Sequence, residues 1–409
     1  MNMTLLIAAL GTLVPAQEWS QYRGPEGRGD ATASTLVTSW SKDSNVVWHL
    51  PVPGKAWSSP IVHQGHAWLT NATADGKKLS LVKVDLKTGK IAGDFLLREV
   101  AEPQFCIPYN SYASCTPTAR DGKIYVHFGS ALTACVDADS GKVIWQRTDL
   151  PCNHHRGPGS SPLLWNDRLF LIYDGFDVQY VAALDIATGK TAWKADRGID
   201  YGTDNGDMKK AYATPALLEV DGKPQLVCPS AGSTISYDPS SGKEIWRVKH
   251  GGMNASSIPQ SSGGLVYLAS GDGGWSLGAV RLGRTGKLDD SAVAWKTARG
   301  ATQYNSIITK ADLLFTASEK GFASCLEAAT GVTVWQERLG NKFHASPILA
   351  KSGIYLFDDQ GKGYVLAAER KYQVIGGGQL PDGCMASPAV AGNLLLVRTR
   401  TGLYALGQK

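Results

Sequence analysis

Two stretches of this sequence gather side chains able to move protons or hold charge. Between Asp149 and Ser160, the run His154, His155 and Arg156 sets two imidazoles beside a guanidinium. Between Asp196 and Tyr212, a long polar stretch carries Asp200, Asp204 and Asp207. An imidazole within reach of a carboxylate makes an acid/base pair. His154, His155, Arg156, Asp204 and Asp207 are therefore the candidate catalytic residues. The same side chains suit a metal ion, and Asp204-Asn205-Gly206-Asp207 has calcium-loop composition. It lacks the roughly twelve-residue spacing and terminal Glu of an EF-hand. Asp and Asn also stabilise turns through their own backbone, and no metal is predicted. A third set is aromatic and polar: Trp57, Tyr112, His155, Arg156, Tyr212, Asn254, Tyr304, His344 and Met385. Each precedes a Ser-Pro or Thr-Pro mark or its weaker equivalent.

Those marks reveal the elements that must position these residues. They fall at Pro60, Pro117, Pro162, Pro215, Pro347 and Pro388, with weaker equivalents at Pro259 and Ile307. The mean period is about 47 residues, the signature of a propeller or solenoid in a strand-rich chain. Between the marks runs a second motif, Asp-x-x-Thr/Ser-Gly-x-x-x-Trp. Clean copies are Asp137 to Trp145, Asp185 to Trp193 and Asp238 to Trp246, with Glu327 to Trp335 a near copy. The Asp caps its own turn and Gly takes the positive φ that other residues resist. The Trp then wedges against a neighbouring blade. Worn copies have Gly93 where Trp belongs, an insertion around Gly286, and no turn motif near Tyr364.

The expected fold is all-β: an eight-bladed β-propeller of four-stranded antiparallel blades. The last copy stops after three strands, at Leu406. Val46 to His49 resembles Val143 to Gln146, so an N-terminal strand is expected to close the last blade and remove exposed edges. Residues 1–16 read as a signal peptide, with an apolar run ending in Val14-Pro15-Ala16, although no Lys or Arg precedes it. Residues 17–39 form an N-terminal arm and 40–409 the propeller. Localisation is then exported, periplasmic or extracellular.

The chain has 409 residues, is 43% hydrophobic and only 19% charged, and carries a net charge of +5. Its basic residues form no block, so neither nucleic acid nor a membrane surface is indicated as partner. No later apolar run approaches the ~20 residues of a transmembrane helix. Of the seven cysteines, Cys135 and Cys325 share a repeat position and read as buried core, while Cys106 and Cys152 are the expected disulfide pair. Ala187 to Thr191 imitates a phosphate loop but lacks its upstream Gly.

The Asp-x-x-Thr-Gly-x-x-x-Trp signature resembles the repeat of pyrroloquinoline-quinone (PQQ) type propellers across residues 40–409. The segment Trp19 to Pro25 is similar to the N-terminal signature of exported PQQ-like proteins of planctomycete-type bacteria. The resemblance implies a propeller, and its family holds both quinoprotein dehydrogenases and a lipoprotein scaffold for outer-membrane assembly. Fold alone does not choose between them. Quinoprotein dehydrogenases set a vicinal Cys-Cys pair over PQQ and hold calcium beside it. This chain has no such pair, and no cofactor is predicted, PQQ with calcium being the one the family label invites. The leading expectation is a monomeric binding or scaffolding module whose channel mouth takes a protein or envelope polymer. The alternative is a periplasmic enzyme: a quinoprotein oxidoreductase, or a hydrolase or lyase using the 152–156 and 200–212 loops. A third is a carbohydrate-binding protein using Trp57, Tyr112, Tyr212 and Tyr304.

Overall fold

In a computed structural model, residues 18–302 and 304–408 are described. The expected signal peptide lies outside them. No helix among the described residues is long and apolar enough to cross a membrane.

The strands form eight hydrogen-bonded sheets. In chain order, blades 1 to 7 are founded on residues 61–99, 118–147, 163–196, 216–249, 260–297, 308–338 and 348–379. Blade 8 is a composite, in which Val46–Pro51 pairs antiparallel with Gly402–Leu406, beyond which lie Leu394–Arg398 and Ala389–Ala391. The expectation of uniform four-stranded antiparallel blades needs correction. Only seven blades are cut from one continuous stretch, and two of those carry extra parallel strands. Blade 4 gains Gly286–Leu288, which runs beside Trp246–Val248. Blade 7 gains Asp30–Ala31 on its inner edge and Ser39–Trp40 on its outer edge, making six strands. The reason is edge protection: an uncovered strand leaves its N–H and C=O groups unpaired.

The repeated turn does what its chemistry dictates. Asp185 Oδ1 accepts the Thr188 amide and hydroxyl at 2.8 and 2.7 Å, and Gly189 follows at φ 72°. Asp85, Asp137 and Asp238 repeat the pattern. The turn also receives the previous blade's tryptophan. Trp48, Trp145, Trp193, Trp295 and Trp335 each donate Nε1–H to a carbonyl in the next blade's turn region, at 2.9–3.1 Å. In blade 1, Phe95 takes the tryptophan's place against Gly141, where a Cβ would come within 2.1 Å of its ring. Blade 4 departs: Trp246 donates instead to Gln225 within its own blade, and the strand lent by blade 5 covers the junction.

A second lock circles the channel. The residue before each mark offers a hydroxyl that accepts the amide of its counterpart one blade back. The links run Ser387→Ser59, Ser59→Thr116, Thr116→Ser161 and Ser161→Thr214 at 2.9–3.0 Å. They resume Ile258→Ser306, Ser306→Ser346 and Ser346→Ser387 at 2.9–3.0 Å. The ring is broken once, between blades 4 and 5, because Ile258 has no hydroxyl for Thr214. Ile258 instead packs against the arm, where a Cβ on Gly27 would meet its Cδ1 at 2.5 Å.

The arm runs across the channel beneath this ring. Val62 and Ala119 donate amides to Trp19 and Ser20 at 2.8 and 2.7 Å. Fully buried Arg23 donates to Gly27, Arg28, Ile307 and Pro347 carbonyls at 2.8–3.1 Å. The channel is thereby closed at one end. Cys106 and Cys152, the expected disulfide pair, are both free thiols, as are the other five cysteines. Cys135 and Cys325 are fully buried.

Candidate functional site

The closed channel leaves a cup of about 270 Å³ open on the opposite side. Alternate residues of a strand share a face, and the innermost segments use this to build two tiers. The lower tier is the hydroxyl ring. The upper tier lies two residues earlier: Trp57, Tyr212, Tyr304, His344 and Met385, with small residues Ser114, Gly159 and Ser256 in blades 2, 3 and 5. Tyr22 of the arm joins the lower tier, its hydroxyl 3.2 Å from Ser346 Oγ.

Of the sequence-chosen mouth residues, Trp57, Arg156, Tyr212, Asn254, Tyr304 and His344 line this cup, as does Met385. Tyr112 and His155 do not. The Tyr112 hydroxyl donates to Gln104 O at 3.0 Å, and its ring covers Gly76. His155 lies between Phe105 and Phe176, with ring centroids 6.1 and 4.8 Å away. The physical reason is that both stand out in the loops, four residues ahead of Thr116 and six ahead of Ser161, where the Gln104 carbonyl and the Phe105 and Phe176 rings take them up instead of the cup.

The candidate acid/base set is not assembled. His154 is buried, and its Nε2 accepts the Ser130 amide at 2.9 Å. Burial, with the Lys210 and His127 charges, holds it well below the usual imidazole range. It is a neutral structural acceptor. Asp204 stands exposed on its loop. Only Arg156 and Asp207 meet, in a direct ion pair. Among the described residues no three His, Cys, Asp or Glu side chains gather closely enough to hold a metal.

The structure adds residues that sequence reasoning missed. Asp272, in a glycine-rich hairpin turn, accepts the Tyr304 hydroxyl at 2.6 Å and the Asn254 amide at 2.8 Å. Asn254 is 7% exposed, at φ 60°, and its Oδ1 has no partner among the described residues. Tyr109 reaches across the mouth, its hydroxyl 3.0 Å from His344 Nδ1, and accepts the Trp57 indole N–H on its carbonyl at 3.1 Å. Burial pushes His344 down to about 4 and Tyr109 up to about 12. A single Asp within the glycine run Gly271 to Gly274 was the available signal for Asp272; the 101–114 loop gave none for Tyr109. Gly274 to Gly278 also spells Gly-x-Ser-x-Gly. Its Ser276 sits at φ 64° in a turn between two strands, not in the strand-to-helix elbow that motif needs.

A PQQ-repeat family model described as "Outer membrane protein assembly factor BamB" matches residues 30–172, 177–311 and 281–407. The outer membrane protein assembly factor BamB of Shewanella oneidensis is 23% identical over 301 residues, 71% of this chain and 69% of that protein. Among solved structures, BamB from Moraxella catarrhalis aligns with a TM-score of 0.60 at 15% identity, covering 89% of this chain and 99% of its own. A europium-containing methanol dehydrogenase aligns with a TM-score of 0.66 at 11% identity, covering 95% and 90%. At these identities the two structural likenesses concern the fold alone.

Proposed function

The chain belongs to the PQQ-like β-propeller family, and from that premise we propose that it is an exported binding module holding a protein partner on its loop-rich mouth. The observation that carries this reading is an apolar patch beside the cup. Phe105 is 61% exposed, Phe176 36% and Met208 43%, and the two phenylalanines flank His155. Exposed apolar residues that cluster mark interaction sites more often than scattered ones do. Phe105 and Met208 sit on the loops entering blades 2 and 4, and Phe176 on the hairpin turn between Arg168–Asp174 and Gln179–Asp185 in blade 3, all carried by a wheel locked at its tryptophans and its hydroxyl ring. The relatives named for outer membrane assembly support both the scaffold role and export.

The reading is tested with the purified chain and the outer-membrane assembly machinery of its own host. Phe105→Asp with Phe176→Asp is expected to weaken capture at least about tenfold, or ~1.4 kcal/mol, with melting temperature unchanged. Undiminished capture by that double variant would sink this use of the mouth.

A second reading, a quinoprotein oxidoreductase, draws on the fold likeness to methanol dehydrogenase and on a cup placed at the channel axis. The donor set speaks against it. Calcium takes about six to eight oxygen ligands. Here Asp272 spends its oxygens on Tyr304 and Asn254, and Asp207 is tied to Arg156. These residues do not fit a calcium-held quinone, and no step is assigned to one. Titration with PQQ and calcium under dye-linked alcohol oxidation decides the matter, because turnover would overturn the binding-module reading.

A further inference from the structure

The hydroxyl ring has a chemical surplus. A serine or threonine oxygen that accepts a backbone N–H still carries its own hydrogen to donate. For Ser59, Thr116, Ser161, Thr214 and Ser387, no acceptor for that hydrogen stands within hydrogen-bond distance among the described residues. All five are 1–4% exposed, and all five line the cup. A buried donor left unpaired costs about 1–3 kcal/mol, so this floor favours an occupant rich in oxygen.

The walls define the occupant further. Trp57, Tyr212 and Tyr304 line the cup above the hydroxyls, and the Tyr212 hydroxyl has no partner among the described residues. Charge inside is balanced. Arg156 is neutralised by Asp207, and Asp272 already accepts two donors. An anion meets no free cation here, and a cation meets no free carboxylate. At about 270 Å³ the cup falls just under the roughly 300–1,000 Å³ of sites for drug-sized ligands. It suits one ring.

We propose that the cup binds a single neutral pyranose ring, its hydroxyls on the Ser/Thr floor and its C–H face against the aromatic wall. Sugar hydroxyls donate and accept, which matches a floor of hydroxyls and the unpartnered Asn254 Oδ1. The ring arrives either as a free sugar or as the end of a glycan, and both present the same chemistry.

The full chain is titrated calorimetrically with glucose, mannose and N-acetylglucosamine, then with maltopentaose and chitopentaose. At least one is expected to saturate with a Kd below about 10 mM. Trp57→Ala and Tyr212→Phe are each expected to weaken it at least about fivefold. Tyr212→Phe removes one oxygen only and keeps the test valid if Trp57→Ala fails to fold. A pentamer that outbinds its monomer identifies a glycan end, and equal affinities identify a free sugar. No saturation by any of the five overturns the proposal. So does binding that Tyr212→Phe leaves unchanged, or saturation by acetate or lysine amide in place of every sugar. Phe105→Asp and Phe176→Asp leave sugar binding intact, so failure of partner docking and failure of this site remain separate results.

Discussion

Trp145 donates its indole N–H to the Ile186 carbonyl of the next blade at 2.9 Å, with its ring lying where a Cβ on Gly189 would come within 2.6 Å. One contact thus explains two letters of the repeat. Glycine is required there for its positive φ and for the room its missing side chain leaves. Gly189→Ala is expected to destabilise by at least about 1–3 kcal/mol, combining backbone strain with overpacking. Trp193→Ala, which also breaks a 3.0 Å bond to Pro239 O, should cost roughly 3–5 kcal/mol. Urea unfolding of both variants measures these losses; wild-type stability in either would refute the lock.

The hydroxyl ring makes a separate prediction. Ser161→Ala removes the acceptor of the Thr116 amide, now met at 2.9 Å in a buried site. An orphaned buried donor costs about 1–3 kcal/mol. The loss is expected in equilibrium unfolding while the tryptophan contacts stay as they are.

The arm should behave as part of the propeller. Arg23→Met strips the Ile307 and Pro347 carbonyls of a charged donor. Hydrogen bonds to charged groups contribute about 1.5–3 kcal/mol each, so a loss above about 3 kcal/mol is expected. A variant that melts within a degree of wild type would show that the arm is dispensable.

Closure depends on Val46–Pro51. Deleting 46–51 exposes the Gly402–Leu406 edge, and unpaired edges template aggregation. Light scattering during refolding should rise sharply. A monodisperse deletion variant would contradict composite closure.

Stability should fall in mild acid. Burial pushes His250 down to about 4, with its Nδ1 against Gly251 O at 2.7 Å and its Nε2 near Thr234 Oγ1 at 3.0 Å. Its ordinary value is about 6.5. The unfolded chain therefore binds the extra proton between those values, and stability rises with pH across that window. The contribution is full above pH 6.5 and is lost as pH drops toward about 4, at up to about 1.4 kcal/mol per unit. Melting temperatures from pH 7.5 to 4.5 check this, and His250→Asn should flatten the slope.

For the site, sequence reading found the right loops and part of the right offset. Trp57, Tyr212, Tyr304 and His344 stand two residues before the hydroxyl and face the cup. Tyr112 stands four residues before Thr116, so Ser114 holds the place it was expected to fill. His154 looked catalytic because imidazoles are versatile, yet its ring is spent on the Ser130 amide. The roles of Tyr109 and Asp272 could not be read from the chain, because their partners, His344 and Tyr304, lie in other blades. The serines and threonines were read as punctuation; their ring becomes visible only when eight distant segments meet.

The repeat, its turn chemistry and the strand that closes the last blade were all legible along the chain. These are local: Asp caps a turn three residues away, Gly takes a conformation others resist, and alternation marks a strand. Which extra strands cover blades 4 and 7, how Arg23 and Tyr22 close the channel, and which side chains share the cup were settled by the folded arrangement. Those outcomes depend on where edges would otherwise lie bare and on which polar groups burial brings within hydrogen-bond reach, and spacing along the chain encodes neither.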